Sequence, residues 1–172
     1  MILVSIAEQR LYHRHAGVWR SYPVSTSRFG AGNRRGSWQT PLGRHVVCAK
    51  IGEGLPPHTV FRARRPVGLL PPDPNPDEDW IVGRILWLAG LEKGVNRWGA
   101  VDTKRRFIYI HGTPFADAIG TPASLGCIRM RIEDILALFT RVRVGERVVI
   151  RERIIPPRAP RPPRPDARSR PR

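Results

Sequence analysis

Phe107-Ile-Tyr-Ile-His-Gly-Thr113, followed ten residues later by Ser124-Leu-Gly-Cys-Ile-Arg-Met130, is the part of the chain whose reading decides the fold. Four apolar residues running into His111-Gly112 describe a strand buried on both faces. Its last side chain emerges at a sheet edge, where reactive groups are commonly displayed. Downstream of Met130 the pattern changes. Ile132, Ile135, Leu136 and Phe139 recur at helical spacing, with Glu133 and Asp134 in a first turn where the helix dipole favours acids.

Upstream, the signal is β. Ile2, Val4 and Ile6 alternate with other residues, Glu8-Gln9-Arg10 breaks the run, and residues 11–14 resume it, which predicts an N-terminal strand pair. Further strands are expected at residues 19–25, 45–50, 59–63, 80–89, 106–111 and 147–153, mostly separated by Gly and Pro. About seven strands and one or two short helices imply a mainly β sandwich or barrel. The Pro-rich stretch between Arg64 and Asp79 is expected to be an exposed loop flanking the site, because its prolines exclude central strand pairing and its acids favour water.

The whole chain of 172 residues carries 30 Lys and Arg against 14 Asp and Glu, a net charge of +16. Such a charge attracts polyanions but does not choose among them. With 41% apolar residues, the chain is able to bury a core. A single catalytic domain over residues 1–153 is expected, followed by a Pro/Arg-rich disordered tail over 154–172. Two cysteines, Cys48 and Cys127, exclude a disulfide scaffold and form no zinc-type pair. The first residues lack the basic start and cleavage site of a signal peptide, and no apolar run is long enough to span a bilayer.

The chemistry concentrates on Cys127 and His111. A thiol of ordinary pKa is only partly ionised at neutral pH, and an imidazole can take its proton and later deliver one to a leaving amine. Gly126 permits a turn that aims the Cys127 N–H at a developing oxyanion, worth about 3 kcal/mol per donor in other enzymes. Arg129, two residues on, shares the face of Cys127 if the segment is extended. It then has three compatible roles: stabilising a thiolate, orienting the loop, or holding a substrate carboxylate. Cys48, inside Val46-Val-Cys-Ala49, reads as core packing. His13 and His15 read as part of a solvated strand among arginines rather than a metal site, and His45 and His58 have no partner motif.

At these residues the sequence resembles the L,D-transpeptidase catalytic domain, or YkuD, family. The shared features are His111-Gly-Thr113 and Ser124-Leu-Gly-Cys-Ile-Arg-Met130, with Tyr22-Pro-Val-Ser-Thr26, Thr40-Pro-Leu-Gly43, Ile85-Leu-Trp-Leu88 and Val101-Asp-Thr103 upstream. Thr40-Pro-Leu-Gly43 also reads as a simple turn. Leu125 stands where the family usually has a second histidine. The resemblance implies Cys127 as nucleophile, His111 as base with the Gly112 carbonyl orienting its ring, and Ser124 as support. It further implies attack on a peptidoglycan stem tetrapeptide, release of D-Ala, and a thioester resolved by an amine or by water.

No metal or cofactor is expected, nor is nucleic acid as a partner; an anionic wall polymer is the expected contact of the basic tail. A cell-envelope or periplasmic location follows from the resemblance, and a cytoplasmic form from the lack of a signal peptide. Two other readings are a sortase-like cysteine transpeptidase, whose motif context fits poorly, and a basic non-catalytic module that binds polyanions. A papain-like peptidase is disfavoured because there the cysteine usually precedes the histidine.

Overall fold

The computed structural model describes residues 1–155; the expected Pro/Arg tail and its polymer contact lie almost wholly outside that range. Ten strands form one sheet: β1 (Ile2–Ser5), β2 (Arg10–His15), β3 (Val18–Pro23), β4 (Gly43–Ile51), β5 (Thr59–Arg62), β6 (Arg65–Leu69), β7 (Ile81–Gly90), β8 (Tyr109–Thr113), β9 (Ile128–Arg131) and β10 (Arg147–Arg151). The single α-helix among the described residues, α1, spans Ile132–Phe139, and short 3-10 turns occupy Gly99–Val101 and Ala116–Ala118. The fold is mainly β, with the sheet curled on itself.

The curl is set by pairing. From β3 the order runs through β2, β1, β10, β4 and β7, with β8 and β9 continuing from β7 and the β5–β6 hairpin joining β7 as well. Beyond β3, Ser25 bridges Arg129 of β9, each N–H donating to the other's carbonyl at 2.9 and 2.8 Å. The two ends of the sheet therefore meet beside the Ser124–Met130 segment. Inside lies the main core, including Ile2, Val4, Leu86, Leu88, Ile110, Ile128 and Met130. On the opposite face of β7 and β8, Phe61, Ile85 and Tyr109 form a smaller cluster against which Trp87 and Cys127 pack.

Several expectations are corrected. β8 begins at Tyr109 rather than Arg106, because residues 102–107 form a tight turn in which Arg106 N–H donates to the Asp102 carbonyl and Phe107 N–H to that of Lys104. Phe107, with φ 56° and 51% exposed, lies outside the strand. Part of the stretch expected as loop is β6, an edge strand that tolerates Pro66 because one side of its backbone needs no partner. In α1, Ile135, Leu138 and Phe139 are the buried residues, and Leu136 is only partly covered. Cys48 is not in the core: it is half-buried where the register shifts between Val47 and Ala49. His13 is fully buried, not solvated, with its Nε2 2.8 Å from a Glu146 carboxylate oxygen.

Candidate active site

β8 and β9 run parallel with Ile110 opposite Ile128, His111 opposite Arg129, and Gly112 opposite Met130. Alternation sends Ile110, Ile128 and Met130 into the main core. His111, Arg129 and Cys127 consequently share the other face. A glycine is required at 112 because a Cβ there would stand 2.5 Å from the Val82 carbonyl oxygen and 2.9 Å from Ile135 Cγ2. The close approach of β7 and α1 thus fixes the strand that carries His111.

His111 is completely buried. Its Nδ1 lies 2.9 Å from the Gly112 carbonyl oxygen, which can only accept, so Nδ1 carries the proton of the neutral ring. Nε2 keeps its lone pair and has no hydrogen-bond partner among the described residues. Burial lowers the His111 pKa, an effect opposed by the Asp79 carboxylate and the Gly112 hydrogen bond.

Cys127 Sγ accepts from Tyr109 N–H at 3.4 Å and lies 3.6 Å from the Phe107 carbonyl oxygen. It makes no hydrogen bond to His111 in this state. Burial pushes the thiol pKa up to about 12, and Asp79 adds to the rise. The Tyr109 N–H, Arg129 and Arg106 pull the other way. Thiol and imidazole are therefore both neutral near pH 7, so ionisation of the sulfur requires transfer of its proton to a base.

The loop before Cys127 is held from both sides. Ser124 Oγ donates to the Cys127 carbonyl at 2.6 Å and accepts from Gly126 N–H at 3.2 Å, closing the turn on itself. Gly126 sits at φ 124°, a conformation suited to glycine. Its carbonyl accepts from buried Thr40 Oγ1 at 3.0 Å, and that oxygen in turn accepts from Ser27 N–H at 3.0 Å. With the Gly126 carbonyl fixed, the planar peptide directs the Cys127 N–H away from Thr40. That N–H has no acceptor among the described residues.

Arg129 extends from β9 to Asp79, Nη2 to carboxylate oxygen at 2.6 Å, and its Nε is buried without a partner. The acidic end of the Pro-rich stretch thus borders the site. Arg106 contacts the carbonyls of Gly32 and Gln39 through its guanidinium, bracing the segment that lies under Gly126. Leu125 lines two cavities, one with Arg35, Trp38, Arg106 and Phe107, the other with Arg28, Asp79, Phe115 and Arg129. Arg106, the Thr40 hydroxyl and the Tyr109 N–H join the site without having been expected there. Of these only Thr40 carries a signal in the sequence, the Thr40-Pro-Leu-Gly43 motif, whose turn reading leaves the hydroxyl without a role. Among the described residues no group of His, Cys, Asp and Glu is arranged to hold a metal ion.

The class of this protein follows from a curled β domain in which β8 carries His111 and the residue just before the adjoining parallel β9 is Cys127, on the same face. The model of the L,D-transpeptidase catalytic domain, YkuD, matches residues 1–150, and the chain belongs to that family. A curated relative, the probable L,D-transpeptidase ErfK/SrfK of Escherichia coli (strain K12), is 27% identical over 164 residues. The match covers 87% of this chain and 43% of that protein, so the chain spans less than half the relative's length. Among solved structures, L,D-transpeptidase 3 of Mycobacterium tuberculosis superposes with a TM-score of 0.57 at 19% identity, covering 88% of this chain and 60% of that one. The C442S mutant of the Enterococcus faecium L,D-transpeptidase gives 0.52 at 15% identity, covering 87% and 48%. At these identities the structural likeness shows a shared fold. No helix among the described residues is long and apolar enough to cross a membrane.

Proposed function

We propose that the chain is a peptidoglycan L,D-transpeptidase with Cys127 as nucleophile and His111 as general base. The observation that carries this reading is the hydrogen bond from His111 Nδ1 to the Gly112 carbonyl, which leaves a bare Nε2 on the face shared with Cys127. In the proposed sequence, Sγ leaves its contacts with the Tyr109 and Phe107 backbone and gives its proton to Nε2. The thiolate adds to the carbonyl joining the third stem residue to terminal D-Ala, and the Cys127 N–H donates to the resulting oxyanion. His111 returns the proton to the departing D-Ala amine, leaving a thioester. An amine from a second stem, deprotonated by Nε2, then displaces the sulfur to form the cross-link; water in the same position gives L,D-carboxypeptidase activity. Arg129, held by Asp79, positions β9 and supports negative charge on the sulfur. Action on the wall places the working protein in the cell envelope.

The test is incubation with a tetrapeptide stem, measuring free D-Ala and the mass of the protein. D-Ala release by the parent chain, with none by Cys127→Ala, is the expected result. If the parent releases no D-Ala and forms no acyl adduct, the enzyme reading fails and the polyanion-binding alternative gains.

A further inference from the structure

The two cavities that share Leu125 differ in charge. The one on the Asp79 side, about 310 Å³, contains Asp77, Glu78 and Asp79 against Arg28 and Arg129, and two of these five are already paired with each other. The one on the Phe107 side, about 270 Å³, is lined by Arg35, Arg105 and Arg106 with no acid. None of these three arginines forms an ion pair with a carboxylate among the described residues. Nearby Asp102 is engaged instead by the backbone N–H groups of Trp98 and Arg105, at 2.8 and 3.0 Å. Trp38 and Phe107 rim the cavity, 59% and 51% exposed, both on left-handed backbone with φ 58° and 56°. Ile108 and Leu125 complete an apolar floor, and the Phe107 carbonyl touches Cys127 Sγ. Arg106 already donates to the Gly32 and Gln39 carbonyls, and Arg105 is near enough to Asp102 to help lower its pKa, but the Arg35 and Arg105 guanidinium groups hold no hydrogen-bonded partner among the described residues. Two such groups beside aromatic walls fit a carboxylate carried on a partly apolar chain.

We propose that this cavity is a carboxylate subsite that selects donor stems bearing a free carboxylate over the corresponding carboxamide. The proposal rests on Cys127 as the acylated residue, since that places the donor stem beside Phe107. Besides the terminal D-Ala carboxylate, which all stems compared below retain, two carboxylates of a stem qualify, one on the second residue and one on the side chain of a third residue that is a diamino diacid. In the Asp79 cavity, Arg129 is held by Asp79, and Glu78 is held by Arg62, so of its lining arginines only Arg28 is outside an ion pair and the cavity offers no comparable pair of guanidinium groups.

The experiment measures calorimetric binding of tetrapeptide stems to the Cys127→Ala form of the 172-residue chain, so that affinity is read without turnover. Three probes are compared: the free acid, the stem amidated at the second residue, and the stem amidated at the third. Amidation at one of these positions is expected to weaken binding on the order of 10- to 100-fold, and the position affected identifies the carboxylate. Adding Arg35→Gln and Arg105→Gln removes that difference, whereas Arg14→Gln with Arg20→Gln, an equal charge change on β2 and β3, preserves it. Equal binding of all three probes overturns the proposal, as does a preference that survives in the Arg35/Arg105 variant. D-Ala release by the parent chain is measured separately. A carboxylate preference without D-Ala release retains the subsite and rejects the catalytic reading, while release without preference does the reverse.

Discussion

Replacing Thr40 with Val removes one hydroxyl at nearly constant shape and tests how the Gly126–Cys127 peptide is held. The hydroxyl is buried, donates to the Gly126 carbonyl at 3.0 Å and accepts from Ser27 N–H at 3.0 Å. Its loss strands two backbone groups, each worth about 1–3 kcal/mol when left unsatisfied, so stability should fall by about 2–6 kcal/mol. The kinetic effect comes through the Cys127 N–H, which is free to tilt once the Gly126 carbonyl is released. Removing an oxyanion donor altogether slows reaction about 10²- to 10³-fold, and a misdirected donor should lose about 10- to 100-fold. Stopped-flow acylation, run well below the melting temperatures of all variants, reads the rate. Thr40→Ser, which keeps the oxygen, should recover most of it. A Thr40→Val protein that melts earlier yet acylates at the parental rate would refute the reasoning, leaving Thr40 a purely structural role.

Three further outcomes are expected. Asp79→Asn removes a charge that raises the pKa of both His111 and Cys127; both limbs of the kcat/KM profile should move to lower pH, and an unchanged or upward-shifted acid limb counts against Asp79 acting on His111. His45, buried between the Gly43 carbonyl and the Thr103 hydroxyl, has its pKa lowered by burial from 6.5 to about 4. Between those values the unfolded chain binds the proton and the folded one does not, so stability is fully present above pH 6.5 and declines by about 3 kcal/mol as pH falls through 4. Denaturant titrations of the parent and His45→Gln should show a shallower acid dependence in the variant, and parallel curves would exclude His45 as the cause. Gly112→Ala drives a methyl to within 2.5 Å of the Val82 carbonyl oxygen, a backbone atom in the neighbouring strand, so stability should drop by about 1–3 kcal/mol or more; a parental unfolding midpoint would contradict the packing of β7 on β8.

The parts of this fold legible in the sequence were those written in side-chain period. β1, β7 and α1 bury apolar residues at spacings of two or near 3.6, and their approximate positions could be read directly. β6 was hidden because an all-exposed edge strand has no apolar alternation, and because its hairpin turns through Ala63 and Arg64, residues with positive φ that carry no glycine-like signal. The true start of β8 depends on the Asp102 carboxylate accepting from the Trp98 and Arg105 N–H groups, side-chain-to-backbone bonds that carry no apolar period in the sequence. Glu146, 133 residues from His13, gives that histidine its buried partner, and such distant pairings are invisible before the sheet is closed. The same holds for Thr40 and Gly126, 86 residues apart. Cys127 and His111 stand out as candidates in the sequence because the glycines that shape their surroundings are adjacent in the chain, whereas Arg106 and Asp79 come near them only through the curl of the sheet.

The central claim is that the sulfur of Cys127 takes the acyl group of a peptidoglycan stem. Intact-protein mass spectrometry, followed by peptide mapping of the chain after reaction with a tetrapeptide stem, tests it directly. An adduct equal to the stem less D-Ala is expected, located on the peptide containing Cys127 and absent from both Cys127→Ala and His111→Ala. An adduct carried on Cys48, or stem turnover undiminished in Cys127→Ala, contradicts it.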